Sequence, residues 1–363
     1  MGTGERNKIR FTGFFEKEII KSSNTCGSRP ASCTDQLAKA VRTVFNCNIE
    51  KEGMNMSKNY PLHKELDSLA KMKPPIYKPL LPIMNKAMAS MFKCESDEKV
   101  VVNKYEIKGY EGAPIPVYVI EPRTIDRKPL PCLVFYHGGG FILRASAGHY
   151  RIAKEYAYKV ECKVIYTDYR LAPKYQYPIP VEDCFTAYKW TLEQAETLAI
   201  DAEKIVMGGD SAGGNLAIAV TLMAKQRNLP LPKAEMLIYP VTDRRMITET
   251  MKKYTDTPMW NAKLSVKMWN YYLGKQTPEL IEYASPMEVK SLKEFPVSYV
   301  EVAEYDCLRD EGIAFCDRLK KDNVLVECHE VKQACHGFET AIESSLTREA
   351  MDRRIGFLRK IFG

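Results

Sequence analysis

The chain has 363 residues, and 45% of them are apolar, which suffices for one large α/β domain with a substantial core. The formal net charge of +7 is spread over lysine-rich helices and loops, and no nucleic-acid-binding module accompanies it, so no nucleic-acid partner is expected. No stretch is apolar enough to span a membrane, and residues 1–20 are charged and have no apolar signal-peptide core, so we expect a cytoplasmic protein.

The cysteines indicate neither a disulfide framework nor a metal site. There are eleven, and several lie within predicted strands or helices, namely Cys132, Cys162 and Cys184. This usage is typical of buried thiols in a reducing compartment, and no spacing among the cysteines is typical of zinc. We therefore predict no metal site, and the serine chemistry described below needs no metal or organic cofactor.

Two N-terminal segments precede the main domain. Residues 1–55 form an extension of undefined role, in which Thr34 is a candidate cap for a helix over 37–45. Residues 56–95 are predicted to hold two amphipathic cap helices, separated by a pair of prolines. Their apolar positions are Leu62, Leu66, Leu69 and Met72 in the first helix, and Leu80, Ile83, Met84, Ala87, Met88 and Met91 in the second.

Residues 96–363 alternate between strand-like and helical runs. The predicted strands are 117–121, 132–136, 164–166, 205–207, 236–239, 297–302 and 324–330. This alternation predicts an open, mostly parallel central sheet with helices on both faces, closed by a last helix over 347–362. In such sheets ligands bind at the carboxyl ends of the strands.

A glycine loop follows the second of these strands. The run His137-Gly138-Gly139-Gly140-Phe141 comes directly after five apolar or aromatic residues. Successive glycines let main-chain N–H groups approach a ligand without interference from side chains, and such donors can stabilise an oxyanion. A plain glycine-rich turn is the alternative.

Ser211 lies where a strand changes into a helix. It is flanked by Gly209 and Gly213, and the sequence after it, 216–224, favours a helix. This pattern is typical of a nucleophile elbow, in which the glycines make room for a sharp turn and the helix N-terminus faces the nucleophile. The N–H of Ala212 would then join the glycine loop in binding an oxyanion.

A cap insertion is predicted at about 245–285. Within it, 260–273 has an amphipathic helical pattern with methionine and aromatic side chains on one face. Such side chains form an adaptable apolar wall, which suits an acyl or alcohol group. The same face would also serve for packing on the core.

A serine nucleophile needs a base and an acid, and these are expected later in the chain. Four carboxylates follow the strand 297–302, and Asp306 is the best placed because it falls at the strand end. Asp310 and Glu311 are more naturally the first turn of the next helix, and an N-cap role is the alternative for Asp306. Among five histidines, His336 follows the last strand in a loop and is the candidate base.

Together these segments resemble the hormone-sensitive-lipase family of α/β-hydrolases. The motifs are His137 to Phe141, Asp168 to Pro173, Gly209 to Asn215, Asp306 to Glu311 and His336 to Phe338. The resemblance covers about residue 60 to the C-terminus. It implies an α/β-hydrolase fold with a helical cap, a catalytic triad of Ser211, His336 and Asp306, and an oxyanion hole from the N–H groups of Gly138, Gly139, Gly140 and Ala212.

The expected function is therefore a serine carboxylesterase acting on short- to medium-chain acyl esters. An amidase or deacetylase of small acylated metabolites is the alternative within enzymes, and a non-catalytic receptor on a hydrolase fold is the alternative outside them. The presence of His336 favours an enzyme over a receptor. A homodimer is compatible with these features, and the expected partner is a small-molecule ester.

Overall fold

The computed structural model describes residues 60–74, 76–123, 129–275 and 278–363. An eight-stranded sheet lies at its centre, with strand order β1-β2-β4-β3-β5-β6-β7-β8. The strands are β1 (Val100–Lys108), β2 (Pro114–Pro122), β3 (Leu130–Tyr136), β4 (Lys163–Thr167), β5 (Ile200–Asp210), β6 (Ala234–Ile238), β7 (Val297–Tyr305) and β8 (Val326–Cys335). Strands β1 and β2 run antiparallel to their neighbours, and all other pairs are parallel. The predicted mostly parallel sheet is confirmed.

Helices cover both faces of this sheet. The α-helices are α1 (Leu81–Met91), α2 (Ala147–Val160), α3 (Ile179–Glu193), α4 (Ala212–Gln226), α5 (Glu249–Lys253), α6 (Ala262–Leu273), α7 (Arg309–Lys321) and α8 (Ser345–Phe362). Side chains alternate along β3: Leu133 packs in the cluster that contains α2 and α8, and Val134 packs in the cluster that contains α3 and α4. None of the helices in the described residues is both long and apolar enough to cross a bilayer.

The edge strand β1 is absent from the sequence prediction. It pairs with β2 along its whole length, from Val100 opposite Pro122 to Lys108 opposite Pro114. After its first three residues most side chains are exposed and polar, so the strand has neither an apolar run nor a strict alternation. Charged side chains at such an edge also discourage pairing with a second chain.

The N-terminal segment differs from its prediction in one helix. The first predicted amphipathic helix is a short 3-10 helix, Lys64–Leu69, and the second is the α-helix α1. Side chains three positions apart share one face of a 3-10 helix, and Leu66 and Leu69 are both buried. The extension 1–55 and its candidate helix after Thr34 lie outside the described residues.

A buried ion cluster joins the last helix to the carboxyl edge of the sheet. Arg354 of α8 is fully buried and contacts Glu301 of β7, and its Nη2 lies 2.5 Å from Oε1 of Glu339. Glu339 also accepts a hydrogen bond of 2.6 Å from the hydroxyl of Tyr239, at the end of β6. Charged groups are stable in the interior only when they are paired, so these contacts fix where the segment after β8 lies.

We expect Arg354→Leu to lower the free energy of unfolding by about 3–5 kcal/mol, because it leaves two buried carboxylates without their cation. Arg348→Leu on the same helix is the matched control, because Arg348 is exposed and its ion-pair partner Glu343 is exposed too. That control should change stability by less than about 1 kcal/mol. Urea denaturation followed by circular dichroism measures both, and equal effects of the two substitutions would contradict the assigned role of the cluster.

Candidate active site

Ser211 stands at the sharp turn between β5 and α4. Its backbone has φ 55° and ψ −118°, a conformation that non-glycine residues rarely adopt. The turn is this tight because Gly213 packs directly against the main chain of Tyr136, where an added Cβ would overlap the carbonyl oxygen. The predicted elbow geometry is therefore present, and the Ser211 hydroxyl lies at the carboxyl edge of the sheet.

His336 and Asp306 reach the same point from β8 and β7. The Nε2 atom of His336 lies 2.9 Å from Oγ of Ser211, and its Nδ1 atom lies 2.6 Å from Oδ2 of Asp306. A carboxylate can only accept, so Nδ1 carries a proton toward Asp306, and Nε2 is free to accept the hydroxyl proton of Ser211. All three side chains are buried.

Burial and charge act on His336 in opposite directions. Burial alone lowers the pKa of the imidazole, but the charge of Asp306 and the hydrogen bond to it outweigh burial, so the pKa lies above the usual 6.5. The other Asp306 oxygen accepts the N–H of Leu308 at 3.0 Å, which fixes the orientation of the carboxylate.

The competing carboxylates make other contacts. Asp310 accepts the N–H of Thr250 at 2.9 Å, and Glu311 accepts the N–H of Thr242 at 2.6 Å. Both lie in the first turn of α7, as the sequence indicates. Glu304 accepts the N–H of Gln333. Of the four candidates, the structure brings Asp306 to the imidazole.

The glycine loop lies beside the elbow, but its first glycine is engaged elsewhere. The N–H of Gly138 donates to Oδ1 of Asp210 at 3.0 Å, so this group is withdrawn from the predicted oxyanion donors. Gly139 and Gly140 have φ of 107° and 62°, conformations that favour glycine. Gly139, Gly140 and Ala212 thus remain as candidates for the oxyanion hole.

Asp210 and His149 form a second polar pair, which the sequence analysis does not identify. Nδ1 of His149 accepts the N–H of Ser146 at 3.0 Å, so its Nε2 carries the proton and donates to Oδ2 of Asp210 at 3.3 Å. Burial raises the pKa of Asp210, but the interaction with His149 outweighs this and lowers it, so the carboxylate stays ionised. Ser146 and His149 form a capping box at the start of α2, with histidine where the usual pattern has glutamate or glutamine, so neither this box nor the contact with Asp210 follows from the sequence pattern.

His137 has a packing role under the loop. Its ring stacks on Tyr169 at 4.5 Å between centroids, and the hydroxyl of Tyr169 donates to the His137 carbonyl at 2.7 Å. Burial lowers the pKa of His137 to about 3, so the ring is neutral. Within the same motif as Tyr169, Asp168 pairs with Arg144 at 2.6 Å. This motif therefore supports the glycine loop from below.

Both predicted cap segments contact the glycine loop. From α1, the side-chain amide of Asn85 donates to the carbonyl of Ile142 at 2.8 Å. From the insertion, the ring of Tyr272 in α6 stacks on Phe141 at 3.9 Å. Trp260 lies just before α6, and its ring is 6.1 Å from the ring of His336. In the sequence it is only the first residue of a helical run, with no sign of a contact with the site. Its indole lies against Gly140, where an added Cβ would come within 2.6 Å of the ring.

The nucleophile is buried. Ser211 is 3% exposed, and the side chains of His336 and Asp306 are buried with it. In the part of the chain that the structure describes, no cluster of histidine, cysteine, aspartate or glutamate side chains is arranged to hold a metal ion. The reactive groups at this site are a hydroxyl, an imidazole, a carboxylate and main-chain N–H donors.

Comparisons with known proteins identify the fold family of the chain. Residues 133–340 match a family described by the alpha/beta hydrolase fold. An arylesterase from Saccharolobus solfataricus is 32% identical over 258 residues, which are 71% of this chain and 81% of that protein. An ethyl acetate hydrolase from Pseudomonas putida is 28% identical over 246 residues, which are 67% of this chain and 77% of that protein.

Solved structures give the same result. A bacterial heroin esterase superposes with a TM-score of 0.77 at 28% identity, and the match covers 84% of this chain and 98% of the esterase. The esterase LipW from Mycobacterium marinum superposes with a TM-score of 0.75 at 26% identity, over 83% of this chain and 96% of its own. The chain therefore belongs to the α/β-hydrolase fold family, in the hormone-sensitive-lipase group that its five motifs indicate.

Proposed function

We propose that the protein is a serine carboxylesterase that cleaves small acyl esters through an acyl-enzyme intermediate. The observation that carries this proposal is the continuous hydrogen-bond chain from Ser211 through His336 to Asp306. Relatives named arylesterase, ethyl acetate hydrolase and heroin esterase support the reaction class.

The first step is attack by Ser211 on the ester carbonyl. As the Oγ–C bond forms, Nε2 of His336 takes the hydroxyl proton, and the ring becomes an imidazolium. Asp306 stabilises that cation across its 2.6 Å contact and keeps the imidazole in the required tautomer. The proton therefore moves over a distance already set in the resting site.

The carbonyl oxygen becomes an anion in the same step. The N–H groups of Gly139, Gly140 and Ala212 are the proposed donors to it, and Ala212 is the first residue of the 15-residue helix α4. A helix N-terminus adds partial positive charge where the negative charge develops. Because Ser211 and His336 are buried, the local dielectric is low, and these donors stabilise the oxyanion more strongly than they would in bulk solvent.

The intermediate then collapses to the acyl-enzyme. His336 gives its proton to the leaving alcohol, which departs, and the ester bond to Ser211 remains. A water molecule next loses a proton to the same imidazole and attacks the acyl carbon, which regenerates the Ser211 hydroxyl and releases the acid. No step needs a cofactor.

The side chains of the proposed cap favour small substrates. Trp260 and Phe141 place aromatic surface around the loop, and both side chains are buried against their neighbours. This buried apolar surface suits a small apolar group, and on that ground we propose short- to medium-chain acyl groups as substrates. The proposed cap comprises residues 56–95 and the insertion at about 245–285. The rest of 96–363 is the proposed catalytic domain. A cytoplasmic location and a homodimer stay predictions from the sequence.

We expect Ser211→Ala to lower kcat on p-nitrophenyl acetate by at least about 1,000-fold, because it removes the hydroxyl that contacts Nε2 of His336 and forms the acyl-enzyme. Ser298→Ala is the matched control: Ser298 is a buried serine of β7 whose hydroxyl donates to the Pro296 carbonyl, away from the site. That variant should keep its activity. Substantial hydrolysis by folded Ser211→Ala protein, judged by its melting temperature, would refute the proposed nucleophile.

The pH dependence should show the raised pKa of His336. Catalysis needs the neutral imidazole, and a pKa above 6.5 means that activity begins to fall at a higher pH than it would for an unperturbed histidine. We therefore expect the acid limb of kcat/KM to have its midpoint above 6.5. In Asp306→Asn the midpoint should move to lower pH, with a much smaller kcat, because the charge that raises the pKa is gone. An unchanged midpoint would contradict the assignment of Asp306.

The glycine loop gives a steric test. Gly140→Ala adds a Cβ that meets the Trp260 ring at 2.6 Å, at a φ of 62°, so the loop must shift and its N–H groups lose their alignment. We expect a loss of about 100-fold in kcat, the size of effect seen when an oxyanion donor is removed. Gly148→Ala is the control, because a Cβ there makes only an ordinary contact with Ser146. Full activity in Gly140→Ala would exclude this loop from the oxyanion hole.

A further inference from the structure

Cys316 and Cys328 lie side by side, away from the candidate active site. Nothing in the sequence pattern indicates that they would be neighbours. Cys316 is on the buried side of α7, and Cys328 is exposed on β8. Their Sγ atoms are 2.7 Å apart, within about 0.7 Å of a covalent sulfur–sulfur bond. The two side chains thus point at each other across the contact between α7 and β8, and little movement separates the dithiol from a disulfide.

The two thiols have different surroundings, so they would have different roles in thiol–disulfide exchange. The Cys316 thiol donates a hydrogen bond to Cys328, which lowers the pKa of Cys328, and the nearby Lys320 lowers it further. Burial, Asp317 and Glu330 act against this but are weaker. The same hydrogen bond, together with burial, raises the pKa of Cys316. Cys328 is therefore the sulfur that ionises first and the one that solutes can reach.

The other described cysteines lack this combination. They are buried, and burial raises the pKa of each thiol, so they are poor nucleophiles. They are Cys94, Cys132, Cys162, Cys184, Cys307 and Cys335. Among the cysteines that the structure describes, reactivity toward a dissolved oxidant should accordingly concentrate at the α7–β8 contact.

We propose that Cys316 and Cys328 are a redox modification site, which forms a reversible disulfide by exchange with a low-molecular-weight disulfide such as oxidised glutathione. The Cys328 thiolate attacks one sulfur of the glutathione disulfide, breaks its S–S bond and releases one glutathione thiolate, which takes up a proton. Cys316 then loses its proton to solvent, attacks the Cys328 sulfur and releases the second glutathione. Two electrons pass from the protein dithiol to glutathione.

The bridge would tie together the segments that carry the acid and the base. Helix α7 begins three residues after Asp306, and β8 ends one residue before His336. Closing the chain from 316 to 328 restricts the unfolded state, so oxidation should stabilise the folded protein. The thiols contact none of the proposed catalytic groups, so turnover by the folded enzyme should stay the same. The proposal does not depend on the esterase activity.

Peptide mapping of the full chain tests the bridge directly. The reduced protein is equilibrated in a series of reduced-to-oxidised glutathione ratios, quenched with acid, alkylated and digested with trypsin. Each cysteine falls in its own peptide, 310–318 or 322–332. We expect the two peptides to appear joined as the oxidised share rises, and to separate again after dithiothreitol. The proposal fails if, at the most oxidising ratio, both are recovered as alkylated peptides or Cys328 is recovered only as its glutathione adduct.

Three variants assign the effect to this pair. Cys328→Ser should abolish the joined peptide, Cys316→Ser should leave glutathione on Cys328, and the control Cys94→Ser should keep the bridge. Oxidation should raise the melting temperature by roughly 5 °C in the wild type and in Cys94→Ser, and not in Cys328→Ser. Because Cys328 is exposed, its variant keeps the test valid even where Cys316→Ser does not fold. An equal shift in wild type and Cys328→Ser would overturn the assignment.

Discussion

The close approach of the elbow to the end of β3 is the constraint on which the site depends. At Gly213 the main chain lies directly against Tyr136, and no side chain fits between them. This contact sets the elbow and the glycine loop at one separation, because the loop begins at the very next residue, His137. One backbone contact thus sets the positions of both the nucleophile and the oxyanion donors. The packing of the main chain around Ser211 maintains its strained backbone conformation.

Buried charges then fix the loops that have no such backbone contact. Asp210 holds the glycine loop through Gly138 and is itself kept ionised by His149. On the far side, Arg354 holds Glu339, only three residues after His336. Each of these buried charges has a hydrogen-bonding partner, so breaking either cluster leaves a buried ion without one, at a large cost in stability. The fold therefore uses polar networks where the chain leaves regular structure, and apolar packing within it.

Much of this arrangement is predictable from local patterns. The strands around Val134 and Val206, the elbow at Ser211 and the loop position of His336 follow from apolar runs, glycines and chain order. The choice of Asp306 among four carboxylates also follows, because it ends a strand and its rivals begin a helix. Contacts between distant segments cannot be predicted in this way. Examples are the contacts of His149 with Asp210 and of Cys316 with Cys328, which depend on side-chain directions that the periodicity of the sequence does not determine.

The withdrawal of Gly138 belongs to this second kind. Three successive glycines look equivalent in sequence, and only the side chain of Asp210 distinguishes the first from the others. The exposed edge strand β1 is missed for another reason, since a strand that buries few side chains leaves little apolar signal.

The 3% exposure of Ser211 has a consequence for how substrates are chosen. A buried nucleophile reacts only with a carbonyl carbon that reaches the carboxyl edge of the sheet past the side chains packed around it, such as Trp260 beside His336. The fit of a substrate against these side chains then decides between esters of equal chemical reactivity. Substitutions of Trp260 can thus change the preferred ester without altering the serine, the imidazole or the carboxylate.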